Sequence, residues 1–90
     1  MKKAIITVIG KDMVGILAKV STKCADYNAN VIEVTQSVLQ EMFAMVMLID
    51  ISNINDEFTN MVNEMKKMGE ESGLQIHIMH EDIFNCMHRI

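Results

Sequence analysis

The stretch Met42-Phe43-Ala44-Met45-Val46-Met47-Leu48-Ile49-Asp50-Ile51 decides the fold. Phe43, Met45, Met47, Ile49 and Ile51 fall on one alternate set. Met42, Ala44, Val46 and Leu48 fall on the other, until Asp50. A strand apolar on both sides belongs in the middle of a sheet. Lys3 to Ile9 has the same character: Ala4, Ile6 and Val8 point one way, Ile5, Thr7 and Ile9 the other. The sequence therefore supplies two central strands, and the segments around them supply the rest.

Between them, Gly10 to Gly15 forms a turn, with Asp12 as the expected helix N-cap. A helix follows, with Val14, Leu17, Ala18, Ser21, Cys24 and Ala25 as its apolar stripe. It is expected to stop near Asn28, because Asn tolerates the left-handed conformation that ends helices. Val31 to Gln40 reads as an edge strand. Ile32, Val34 and Val38 share one face, interrupted by Gln36, and the polar Glu33, Thr35 and Ser37 share the other. A tight turn at Gln40-Glu41 leads into the second central strand.

Ser52 to Asn55 is a polar turn before a second helix, with Asp56 and Glu57 near the positive end of its dipole. Phe58, Met61, Val62, Met65, Met68 and Gly69 form its apolar stripe, and Gly73 stops it. Leu74 to His80 alternates as a fourth strand, with Leu74, Ile76, Ile78 and His80 against Gln75, His77 and Met79. Glu81 to Ile90 is expected to form a short terminal helix, with Ile83, Phe84, Met87 and Ile90 on one side.

The order βαββαβ, with two right-handed crossovers around a hairpin, indicates an α+β ferredoxin-like sandwich. Four antiparallel strands carry two helices on one face, and the first and third strands are central. Ninety residues fit a single domain, 1–90, with 81–90 as a C-terminal tail. Two helices cover only one face of such a sheet. The other face exposes Ile and Met side chains, so a second copy is expected to cover part of it, together with the C-terminal segment.

Composition excludes several functions. The net charge of −4 argues against nucleic acid as a partner. Phe43 is the only aromatic residue on the central strands, too few for base stacking. No apolar run reaches the ~20 residues of a membrane span. Lys2-Lys3 and the seven apolar residues that follow lack a signal-peptide cleavage site. With only Cys24 and Cys86, no disulfide framework exists, and a reducing cytoplasm is the expected location.

Catalytic and metal chemistry find little support. His77 and His80 are three apart on a strand and face opposite ways. His80, Cys86 and His88 match no zinc spacing. Cys24 sits on a core stripe, where a thiol is inert. No Ser occupies a nucleophile turn. The ten methionines fall mostly on core faces, so they read as packing rather than copper ligands. No enzyme activity, metal or cofactor is expected.

Gly10-Lys11-Asp12-Met13-Val14-Gly15-Ile16-Leu17 resembles the ACT-domain pattern, in which an acidic residue or Asn lies three before a Gly and apolar residues follow. Asn30-Val31-Ile32 is similar to the Asn-Ile that opens the second ACT strand. Gln36-Ser37-Val38-Leu39, Phe43-Ala44-Met45 and the ending Ile83 to Ile90 resemble a family of small stand-alone ACT proteins of bacteria and archaea. They are also similar to the ACT modules of the glycine-cleavage-system repressor.

The resemblance implies a homodimeric regulatory module that binds an amino acid or similar small ligand between two domains and controls an unknown partner protein. Its site residues would be Gly10, Asp12, Met13, Val14, Gly15 and Asn30. The amides of Met13, Val14 and Gly15 would receive a carboxylate, Asp12 an ammonium group, and the Asn30 amide would donate and accept. Two positions depart from serine-binding ACT domains: Gly10 stands for His, and Asp12 for Asn. The added charge of Asp12 would repel a ligand carboxylate. The alternative is a ligand-free protein–protein interaction module acting through its sheet face or helices.

Overall fold

A computed structural model describes residues 2–11 and 15–87. In chain order the elements are β1 (Lys3–Gly10), α1 (Ile16–Asp26), β2 (Asn30–Leu39), β3 (Met42–Asp50), α2 (Phe58–Ser72), β4 (Gln75–His80) and α3 (Glu81–Met87). The sheet order is β2-β3-β1-β4, and every neighbouring pair is antiparallel. The two strands apolar on both sides are the central ones, as their side chains require.

The register divides the sheet into two faces. Ala4, Ile6, Val8 and Gly10 lie opposite Ile49, Met47, Met45 and Phe43. These residues are buried with Met61 and Met65 of α2 and with Ile16, Val20 and Cys24 of α1. Burying a side chain of this size contributes about 1.5–3 kcal/mol, so this layer dominates stability. The methionines expected in the core are there: Met45, Met47, Met61 and Met65 are fully buried.

The second helix follows its sequence pattern. Met61, Met65 and Gly69 are buried, Phe58, Val62 and Met68 partly so, and Gly73 is the C-cap in the left-handed region. Asp56, just before the helix, accepts hydrogen bonds from the Glu57 amide at 2.7 Å and from the Asn60 side chain at 3.0 Å.

The first helix departs from its expected face. Its buried line is Ile16, Val20 and Cys24, while Leu17, Ala18 and Ala25 are exposed. Its N-cap is Gly15 rather than Asp12, and Asp12 and Val14 lie outside the described residues. The helix ends as expected: Tyr27 is the C-cap, and Asn28 takes the left-handed conformation at φ 60°.

β2 is an edge strand, with a correction. A bulge between Val31 and Glu33 leaves Ile32 without a partner on β3. The bulge shifts the phase by one, so Val31 and Val34, opposite Ile49 and Met47, share the helix-side face.

The terminal helix forms over Glu81–Met87 and contacts β1 and β4. It follows His80, whose β1 partner is Ala4, so it sits at that end of the sheet. Ile5 points away from α1 and α2, yet is only 8% exposed. α3 therefore covers this end of the open face. The other end remains open: Ile9, Met42 and Val46 are 38%, 42% and 41% exposed.

Candidate functional site

The loop between β1 and α1 is held by two glycines with different reasons for being glycine. Gly15 has φ 74°, a conformation that costs an ordinary side chain roughly 1–2 kcal/mol. A Cβ there would meet nothing within 4 Å, so backbone shape demands Gly15, not close packing. Gly10 is the reverse case. A Cβ on it would collide with the Leu74 side chain, which occupies the space a larger residue would need. A sequence reading could not pair the two residues, which are far apart in the chain.

Among the described residues, no side-chain hydrogen bond caps the start of α1. Its first-turn N–H groups carry the positive end of the helix dipole, which favours a negative group nearby. Asp12, Met13 and Val14, the centre of the expected site, lie outside the described residues.

Asn30 opens β2 as expected, but at the opposite end of the sheet from the loop. It pairs with Asp50, which pairs with Lys3 at the start of β1. Gly10 lies seven residues further along β1, about 23 Å away at ~3.3 Å per residue. One copy does not bring Asn30 to Gly10 and Gly15. This separation follows from strand direction: β1 and β2 run the same way, so the end of one and the start of the other are far apart.

The region around Asn30 is firmly tied. The Asn28 side chain donates to the Asn53 carbonyl at 2.8 Å, and the Asn55 side chain donates to the Asp26 carbonyl at 3.0 Å. The Asn55 amide donates to the Tyr27 carbonyl at 3.1 Å. These bonds fasten the α1–β2 turn to the β3–α2 loop. Beside Asn30, hydrogen bonds from Ser52 hold the Asp50 carboxyl below its ordinary range. The Ser52 amide donates to Asp50 Oδ1 at 2.8 Å.

The remaining candidates are dispersed. Cys24 is buried, and burial pushes its thiol up to about 11, leaving it protonated and unreactive near neutrality. Cys86 is exposed on α3. His77 lies opposite Thr7 on the open face, whereas His80 lies on the helix side, its ring centroid 4.5 Å from that of Phe58. The two histidines do face opposite ways. His88 lies outside the described residues. Among the described residues, no three His, Cys, Asp or Glu side chains gather as metal ligands, and no helix is long and apolar enough to cross a membrane. Phe43 is buried beneath the helices, so it offers nothing to a base on the open face.

A depression of about 290 Å³ adjoins Gly10 on the β4 side of the loop. Ile9, Met42 and Gln75 wall it from the sheet, Leu74 from the α2–β4 turn, and Lys11 from the rim. Nothing in its short, scattered segments announced it in the sequence.

Residues 2–79 match the family model described as "ACT domain", which ends within β4 and leaves α3 outside the match. A UPF0237 protein of Methanocaldococcus jannaschii is 44% identical over 90 residues, the full length of both chains. A solved "ACT domain protein from Streptococcus pneumoniae" is 40% identical and superposes with a TM-score of 0.81, covering 92% of this chain and 93% of that one. A putative glycine cleavage system transcriptional repressor is 22% identical with a TM-score of 0.72. It covers 88% of this chain and 45% of its own, and at that identity it speaks for the fold alone.

Proposed function

The chain belongs to the ACT domain family, a class of regulatory ligand-binding domains, and from that premise we propose that it senses a small amino-acid-like molecule between two copies of itself. In this reading residues 1–90 form one ACT domain with 81–90 as its tail, and its role is regulatory rather than catalytic. Gly10, Asp12, Met13, Val14 and Gly15 of one copy hold the ligand together with Asn30 of the other.

The observation that carries the reading is the separation of Gly10 from Asn30 at opposite ends of the sheet, on strands β1 and β2. β2 is a long edge strand with exposed Val31, Ile32 and Val38, and it carries neither Lys nor Pro to discourage pairing. Leu17 of α1, which packs against β2, is exposed as well. Two such edges meeting antiparallel bring the loop of each copy to the Asn30 end of the other. Two equivalent sites result, each with a helix N-terminus for a carboxylate and an amide side chain for a second polar group. Asp12 selects for a ligand that also carries a positive group.

Isothermal calorimetry with the common amino acids tests this directly. The expected outcome is a millimolar or tighter ligand whose affinity falls about tenfold or more in Asn30→Ala, as for loss of a hydrogen bond to a charged group. Mixing Asn30→Ala with Asp12→Ala chains should restore one intact site per mixed dimer. No heat with any amino acid, together with no thermal shift, would favour the ligand-free interaction module. The exposed Ile9, Met42 and Val46 on the sheet are the observation behind that second reading.

A further inference from the structure

We propose that the uncovered end of the open sheet face receives α3 of a second copy, with Ile83 entering the depression beside Gly10 and the acidic start of α3 lying over Lys11. Each copy carries both halves of this contact. α3 lies at the Ala4–Ile5 end of the sheet and turns Ile83 outward, 53% exposed. At the other end, Ile9 and Met42 stand exposed around the depression. A patch of this kind, rimmed by polar residues, marks a contact surface.

Charge selects the occupant. The first turn of α3 carries Glu81 and Asp82, and its last described turn has no basic residue. Lys11, exposed just beyond Gly10, lies on the rim of the depression at the far end of the sheet. A two-fold axis in the plane of the sheet and perpendicular to β1 turns the open faces together and exchanges their ends. That single rotation sets Ile83 of each copy against Ile9 and Met42 of the other, and Glu81 and Asp82 against Lys11. Lys3, at the same end as α3, already has Asp50 as its cross-strand neighbour. The contact is self-complementary, as a two-fold interface must be. It leaves α1, α2 and the outer edge of β2 free, and it borders the ligand site proposed above at Gly10.

Sedimentation equilibrium of the full chain and its variants tests the contact. Ile83→Asp and Met42→Glu replace exposed side chains on the two sides of the contact. Each should weaken association by about thirtyfold or more, as loss of an interface anchor does, with no fall in melting temperature at a dilution where wild type and variant are both monomeric. Lys11→Glu should also weaken it, and adding Glu81→Lys and Asp82→Lys should restore it. Because the edge pairing proposed above would by itself give a dimer, the wild type should sediment above dimer mass and Ile83→Asp should lower it, and the proposal is overturned if Ile83→Asp leaves the wild-type mass unchanged. It is overturned equally if Met42→Glu alone lowers the mass, since the occupant is then not α3, or if the triple charge swap fails to restore association.

Discussion

The two faces of the sheet are built from the same two strands and nearly the same residues, yet they differ sharply in exposure. On the helix side, Val8, Met45 and Met47 are at most 1% exposed. One residue along, on the opposite side, Ile9 and Val46 are 38% and 41% exposed. Side-chain chemistry does not distinguish them. What differs is the element available to cover each: two long helices on one side, the seven-residue α3 on the other. An apolar strand thus records that both its faces need cover, but not which cover lies within the same chain.

The largest expected effect comes from treating neighbours on the two faces alike. Met47→Ala should cost about 2–5 kcal/mol, the range for emptying a buried Met site, whereas Val46→Ala should cost under about 1 kcal/mol. Denaturant unfolding at a concentration where both variants share one oligomeric state checks this. Equal losses would mean that the open face is covered as tightly as the core.

Next in size, Gly10→Ala pushes a methyl into Leu74 on the helix side and should cost about 1–3 kcal/mol. Gly15→Ala meets no neighbour and pays only for its left-handed backbone, about 1 kcal/mol. Measuring both by the same unfolding assay separates packing from conformation at the two ends of one loop.

Thiol titration probes the comparison without changing stability. In the folded protein one thiol, Cys86, should react with a disulfide reagent at neutral pH. Cys24, with its raised pKa of about 11, should react only on unfolding. Two fast thiols would show that the core beneath α1 opens readily.

The smallest effect concerns Asp50, at the rim of the open face. Hydrogen bonds from Ser52 lower its folded pKa. A lowered carboxyl pKa stabilises the fold above the unfolded value of roughly 3.9, and this contribution fades as pH falls through the folded value. Thermal melts below about pH 4 should show a steeper acid loss for the wild type than for Asp50→Asn.

Much of the architecture was legible because it is periodic. β1, β3 and β4 show their faces by alternation, and α2 shows its stripe through Met61, Met65 and Gly69. The first helix misled because apolar residues surround it. Leu17, Ala18 and Ala25 make as regular a pattern as Ile16, Val20 and Cys24, and packing against the sheet selects the latter. The bulge at Ile32 had no signal, since no glycine marks it. Of the candidate site, the two ends of the loop and Asn30 could be named from the ACT-domain resemblance. Their separation depends on strand direction, and the fit of Leu74 against Gly10 on contacts between distant segments.

The pairing of Ala4 with His80 has a consequence for how such a unit travels between proteins. The first and last strands lie side by side and antiparallel, so the chain enters and leaves the sheet at one corner. Splicing the segment from β1 to β4 into a surface turn of a host would ask that turn to open by only about one strand spacing, ~4.8 Å. Joining the two ends directly and cutting at the Gln40-Glu41 hairpin would give a rearranged chain with the same sheet. The fold is thus portable.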